Sequence, residues 1–110
     1  MIERPKTYEE ALNQQLKEIG DMLIVKHIAY GTDNLTRFGE YGILVRMSDK
    51  LSRLQNLLEM ERSEMVNEAL RSESIDETLK DLAGYAIQAR LLRNGYLGLM
   101  IREKSDEHKD

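Results

Sequence analysis

Three cations and two carboxylates are the residues whose types and spacing could do chemistry. Arg46, Lys50 and Arg53 stand at i, i+4 and i+7, so on a helix all three point into one space. Such a cluster suits phosphate, because arginine offers a planar fork of donors and lysine a mobile point charge. Glu77 and Asp81, also four apart, have two readings. They can pair with Arg53 and Lys50 in a structural ion-pair network. They can instead hold a magnesium ion, with waters and substrate phosphates completing its shell. Two carboxylates are a thin set for metal catalysis, and the facing segment adds only Asp49 among basic or neutral groups. No Gly-rich phosphate loop, Ser/His/Asp constellation or paired-histidine motif is visible, so no catalytic residue is named. A solvated salt-bridge face remains a third reading of the same residues.

The element that must position these groups is the stretch 41–58, YGILVRMSDKLSRLQNLL. At about 100° per residue, Ile43, Met47, Leu51, Leu54 and Leu58 share one helical face. Arg46, Asp49, Lys50, Arg53 and Asn56 fall within an arc of roughly 120° beside it. Charges beside a core stripe sit at the rim of the packed interior and need partners.

Upstream, Thr7 and Glu10 fit a capping box, and the stripe Tyr8, Leu12, Leu16, Ile19 and Leu23 predicts one helix over about 8–29. Gly20 inside it predicts a bend, a close neighbour or a break. The segment 30–39, YGTDNLTRFG, has turn chemistry throughout. Read as a connection, it lets Phe38 plug the core; read as a ligand loop, it presents Tyr30, Asn34, Arg37 and Phe38. Residues 59–72 predict a short helix or an extension of the central one. Ser74 and Glu77 form a second capping box that opens the last helix. Ile75, Leu79, Leu82, Ala86 and Ala89 are its core stripe, whereas Glu77, Asp81, Gly84 and Gln88 line another face. Gly84 permits a close approach by a helix or a ligand. Asn94 and Gly95 are a stop signal. The run 96–101, YLGLMI, is an extra helical turn over the core or an oligomer contact. His27 reads as an ordinary packed or surface histidine, and His108 lies in the charged tail.

These elements predict an all-α fold, a small helical bundle of three main helices plus one or two short ones, in a single domain over 1–102 with a frayed tail at 103–110. Composition agrees: 110 residues suit one domain, and 41% hydrophobic with 33% charged residues argues against disorder. The absence of cysteine excludes disulfides, thiol nucleophiles and thiolate metal sites. A net charge of −4 argues against extended nucleic acid as partner. No secretory leader and no apolar run long enough for a membrane span is visible, which predicts a cytoplasmic protein without a membrane partner.

Lys26, Tyr30 and Gly31, the turn holding Asn34, then RMSDKLSRLQNLL at 46–58 and ESIDETLKDLAGYAI at 73–87 together resemble the phage and bacterial family called Nucleotide modification associated domain 1. That family shows a lysine ahead of a Tyr-Gly pair, a basic helix of the form R-x-x-D-K-x-x-R-x-x-N-L, and an E-S-x-x-D/E-T-L-x-D-L-A-x-Y segment. The resemblance covers 26–87, with a departure at Ala29, where the family carries an acid. The helical layout is also similar to the all-α NTP pyrophosphohydrolases of the MazG type, which hold magnesium with E-x-x-E and E-x-x-D motifs on facing helices. Asp81 stands where the second motif has its aspartate. The first motif has no counterpart, since Asp49, Lys50 and Arg53 occupy the facing helix.

The resemblance implies a phage-type nucleotide-binding protein, in the host cytoplasm if phage-encoded, which sequesters a nucleotide or nucleotide-derived signal without a cofactor. Arg46, Lys50 and Arg53 would hold phosphate; Tyr30, Asn34 and Phe38 would contact base or sugar; Lys26, Arg37 and Asn56 complete the ligand set. One alternative is a magnesium-dependent nucleoside triphosphate pyrophosphohydrolase with Glu77 and Asp81 as metal ligands. Another is a non-catalytic structural or interaction module. Exposed apolar ends on so small a bundle predict a homo-oligomer.

Overall fold

The computed structural model describes residues 4–63 and 68–103. Among them the chain is all-α, with four helices and no strand: α1 (Tyr8–Tyr30), α2 (Asp33–Thr36), α3 (Gly39–Ser63) and α4 (Glu68–Arg93). Three are long, and α2 is a single turn inside the predicted loop. The first helix starts at its cap. Thr7 is extended and its hydroxyl accepts the Glu10 N–H at 3.1 Å. The Glu10 carboxylate reaches one residue further back than a capping box requires, accepting the Lys6 N–H at 2.7 Å. The helix ends at Gly31, whose φ of 68° suits a residue without Cβ and whose N–H donates to the His27 carbonyl.

Gly20 neither breaks α1 nor admits a close neighbour. The helix runs through it, and a Cβ there would meet nothing within 4 Å. Gly20→Ala is therefore expected to raise stability by about 1 kcal/mol, the helix-propensity difference, seen as a later midpoint in urea unfolding. An earlier midpoint would show that the helix needs the glycine.

The last helix begins before its predicted cap. Glu68, Ala69, Leu70 and Arg71 are good helix formers and carry α4 through Ser72 and Ser74. The Ser74 carbonyl accepts the Thr78 hydroxyl at 2.7 Å, a mid-helix bond. A Ser-x-x-Glu pattern caps a helix only where nothing helical precedes it. Of the expected short helix at 59–72, the first residues prolong α3 and the last belong to α4, while 64–67 lie outside the described residues. The stop at Gly95 is as expected. Its φ is 76°, its N–H donates to Leu92, and the Tyr96 N–H donates to Leu91 at 2.9 Å, the paired bonds of a Schellman cap.

Cross-links between helices fix their directions. Arg93 meets Glu40 at 3.4 Å and Lys50 meets Asp81 at 2.9 Å, so α3 and α4 are antiparallel. Lys80 meets Glu18 at 2.9 Å while Met22 and Leu23 lie over Gly84, so α1 runs parallel to α4. The second helix packs on α3. Leu35 of α2, Ile43 of α3 and Leu97 beyond α4 are buried, with Met47, Tyr85, Ala89, Leu91 and Leu92 packed around them. This core sits at the end of the bundle where α3 begins and α4 ends. The run 96–101 forms turns instead of the helical turn offered by one reading, and it covers the core through Leu97.

Two predicted stripes are rotated. On α3 the covered face runs through Ile43, Arg46, Met47, Lys50, Leu54 and Leu57, leaving Leu51 and Leu58 exposed. On α4 it runs through Ile75, Thr78, Leu82, Tyr85 and Ala89, leaving Leu79 and Ala86 outside. Each helix carries apolar side chains on more than one face, and periodicity alone merges the two sets. Phe38 does not plug the core. It is 68% exposed, and Leu35 fills that place.

Candidate functional site

Between α1, α2, α3 and α4 lies a cleft of about 190 Å³. The C-terminal turns of α1 contribute Lys26, His27 and Tyr30, spaced so that 26 and 30 share a face. Gly31 turns the chain so that Asn34 and Leu35 follow on the adjoining wall. The third helix contributes Arg46, and α4 contributes Asp81, Tyr85 and Gln88. Gly84 makes the joint tight. A Cβ there would stand 3.1 Å from Leu23 Cδ2 and 3.2 Å from Met22 Cε, so its lack of a side chain lets α1 lie against α4.

The electrostatic centre is Asp81. Its Oδ2 receives Lys50 Nζ at 2.9 Å and its Oδ1 faces Lys26 Nζ at 3.5 Å, so one carboxylate ties α1 and α3 to α4. Both Asp81 and Lys50 are largely covered, with side chains 20% and 28% exposed. Burial by itself pushes the Asp81 carboxyl up, but the Lys50 hydrogen bond and the charges of Lys26 and Lys50 outweigh it and hold the group below its usual range. A second tie runs along the same helices. The hydrogen bond to Glu18 raises the Lys80 ammonium above its ordinary value, against a smaller effect of burial. Arg46 Nη2 donates to the Asn34 carbonyl at 3.3 Å, pinning the α2 turn to α3. One donor is thereby engaged, and the guanidinium has five.

Of the residues singled out from the sequence, Lys26, Tyr30, Asn34, Arg46 and Asp81 line the cleft. Lys50 stands behind Asp81 as its partner. Arg53 and Asn56 are exposed farther along α3 and do not line the cleft. Arg37 closes α2 in an exposed position, and Phe38 lies in a separate shallow groove with Tyr41, Leu44 and Ala89. Glu77 is exposed and faces Lys80 at 3.7 Å, so the anticipated Arg53–Glu77 pair is replaced by Lys80–Glu77. The two carboxylates proposed as metal ligands are thus engaged by different cations. Among the described residues no cluster of three or more His, Cys, Asp or Glu is placed to hold a metal ion.

Asp81, Gly84 and Gln88 share the cleft as their common helical face predicted. The cleft-lining roles of Met22, Leu23, His27 and Tyr85 were not anticipated. The available signal was spacing: His27 stands four after Leu23 and three before Tyr30, and Tyr85 four after Asp81, positions that share a helical face. Chemically, the arrangement offers two cations of different geometry, two phenols and two amide side chains around a carboxylate already neutralised.

No family model matches the chain, and comparison with curated proteins and with solved structures gives no match either. The functional reading rests on the cleft and on the residues that line it.

Proposed function

We propose that the cleft binds the phosphate end of a nucleotide or nucleotide-derived signal without a metal and without hydrolysing it. The observation that carries this reading is the convergence of Lys26 and Arg46, from different helices, on one concave site whose lining holds a single carboxylate. That carboxylate already has an ammonium group on each oxygen. An incoming anion therefore meets net positive charge, with Arg46 as a fork and Lys26 as a point charge. Tyr30 and Tyr85 offer ring faces and hydroxyls, and Asn34 and Gln88 offer amides, for sugar or base. A cleft of about 190 Å³ is smaller than the roughly 300–1,000 Å³ of pockets that enclose a whole drug-sized ligand. It suits a phosphate and its sugar, the remainder of the molecule lying across the exposed Tyr30 side. Membership of 26–87 in a nucleotide-associated phage family, and a role in sequestering the ligand during infection, belong to this proposal. Magnesium-dependent hydrolysis gains no support, because a metal on Asp81 would have to displace both lysines.

A second reading has its own observation. The Lys26–Asp81–Lys50 network joins three helices and would exist for architecture alone. A thermal-shift screen with nucleotides, dinucleotides and cyclic signals, each with magnesium and with EDTA, separates the readings. The expected result is a rise in Tm that persists in EDTA, with the ligand recovered intact. Lys26→Met removes that rise while keeping the helix, since Lys26 is exposed and Lys50 still holds Asp81. A rise that needs magnesium, with cleaved ligand, would promote hydrolysis. No rise with any compound would leave the network as architecture.

A further inference from the structure

A groove of about 170 Å³ lies beside the cleft, and Leu23, His27 and Gln88 line both. Lys26 lines only the cleft and Ile24 only the groove. At about 100° per residue these two stand roughly 160° apart on α1, with Leu23 and His27 between them. Cleft and groove therefore occupy the two flanks of the contact between α1 and α4. The sides of the groove are apolar, formed by Ile24, Leu91, Tyr96, Leu99 and Met100. Where it meets the cleft the lining turns polar, at His27 and Gln88, both half-buried. Among the described residues neither of these side chains has a hydrogen-bond or ion-pair partner. Covered polar groups are normally paired, and an imidazole with an amide can both donate and accept.

We infer that the groove takes a nucleobase, carried on a second arm of the ligand whose phosphate lies in the cleft, so that the ligand class is a dinucleotide. This rests on the cleft being the phosphate site. With Lys26 and Arg46 on the phosphate, one arm leaves across Tyr30 and the other passes His27 and Gln88. Three observations select that occupant. The first is continuity, since whatever fills the groove touches three residues of the cleft. The second is polarity. A base has apolar faces and a polar edge, which matches apolar sides that end at two unpaired polar groups. An acyl chain gains only by leaving water. Here Ile24, Tyr96, Leu99 and Met100 are 39% to 72% exposed, which leaves such a chain wet, and it offers His27 and Gln88 nothing. The third is size. Neither the cleft nor the groove alone reaches the roughly 300 Å³ at which pockets enclose a whole ligand, and together they do. Stacking on Tyr96 and on the Met100 sulfur accepts any base, so His27 and Gln88 read which base it is.

Equilibrium dialysis of the full chain tests this with two sets of probes. One set is the 3′,5′-linked dinucleoside monophosphates of A, C, G and U; the other is the matching nucleoside 5′-(methyl phosphates), which carry the same charge on one arm only. At least one dinucleotide is expected to bind about tenfold or more tighter than its methyl diester, because a tethered second arm adds to affinity. Leu99→Ser with Met100→Ser, at positions 61% and 72% exposed, is expected to abolish that advantage and leave the methyl diester unaffected. Ile24→Ser, on the facing wall, is expected to act in the same direction, and both variants are neutral, so they do not repel the phosphate. Lys26→Met is expected to weaken both probes. Equal affinity for every matched pair, with Lys26→Met still weakening both, would overturn the groove and leave the phosphate site standing. An advantage that survives both groove variants would also overturn it. No binding of any probe at millimolar concentration would overturn the phosphate site, and the second arm with it.

Discussion

Asp81→Asn is expected to lower stability at neutral pH by about 2 kcal/mol. Breaking a fully buried ion pair costs about 3–5 kcal/mol, and exposed pairs contribute about 0–1 kcal/mol. Asp81 and Lys50 lie between these limits, whereas Lys26, at 45% exposure, adds little. The amide is nearly isosteric, so what it removes is charge, leaving the largely covered Lys50 against a neutral partner. The pH dependence follows from the direction of the shift. The folded protein holds the Asp81 carboxyl below its usual range, so the unfolded chain takes up that proton first as pH falls. The contribution is complete above the ordinary carboxylate range and disappears as pH drops through the depressed folded value. Urea unfolding of wild type and Asp81→Asn should therefore differ at pH 7 and converge in acid. Glu77→Gln, on an exposed pair, should stay within about 0.5 kcal/mol of wild type. Equal midpoints for wild type and Asp81→Asn at pH 7 would show that the network contributes nothing to stability.

The sequence told the number of long helices and several of their ends because those signals are local. Thr7, Gly31 and the Asn94-Gly95 stop act within a turn or two of chain. Ser74 misled because its capping pattern is equally local, yet the residues before it were already helical. Which apolar face of α3 turns inward was not legible. Ile43, Leu51 and Leu58 fall within about 80° of one another on a helical wheel, and the packing of α4, Leu35 and Leu97 separates Ile43, 1% exposed, from the other two. The Lys50–Asp81 pair was legible from spacing, but Arg53–Glu77 was not distinguishable from it. Long side chains choose partners by the offset between helices, and α1 brings Lys26 and Glu18 into that competition from a segment far away in sequence. The cleft shows the same limit. Its α4 wall was read from one helix face, while its α1 wall depends on how close Gly84 lets that helix come.

That closeness makes Gly84 the position where one side chain should change most. Gly84→Leu is expected to lower stability by about 2–3 kcal/mol, the upper part of the usual range for overpacking. Gly84→Ala should stay near wild type. Its Cβ would touch only the far ends of Leu23 and Met22, at 3.1 and 3.2 Å, which can swing aside, and a gain of about 1 kcal/mol in helix propensity offsets the crowding. A leucine extends well past both atoms, into the space that Leu23 and Met22 fill. Among the described residues the ties of α1 to α4 run through Glu18, Met22, Leu23 and Lys26, a short stretch, so displacement of the helix relieves the strain more easily than repacking does. The cleft would then open on its α1 side, separating Lys26 from Asp81 and Tyr30 from Tyr85. Two measurements should move together in Gly84→Leu and in neither case in Gly84→Ala: the urea midpoint and the ligand-induced rise in Tm. If Gly84→Leu unfolds at the wild-type midpoint, α1 does not dock over Gly84, and the cleft has no wall there to lose.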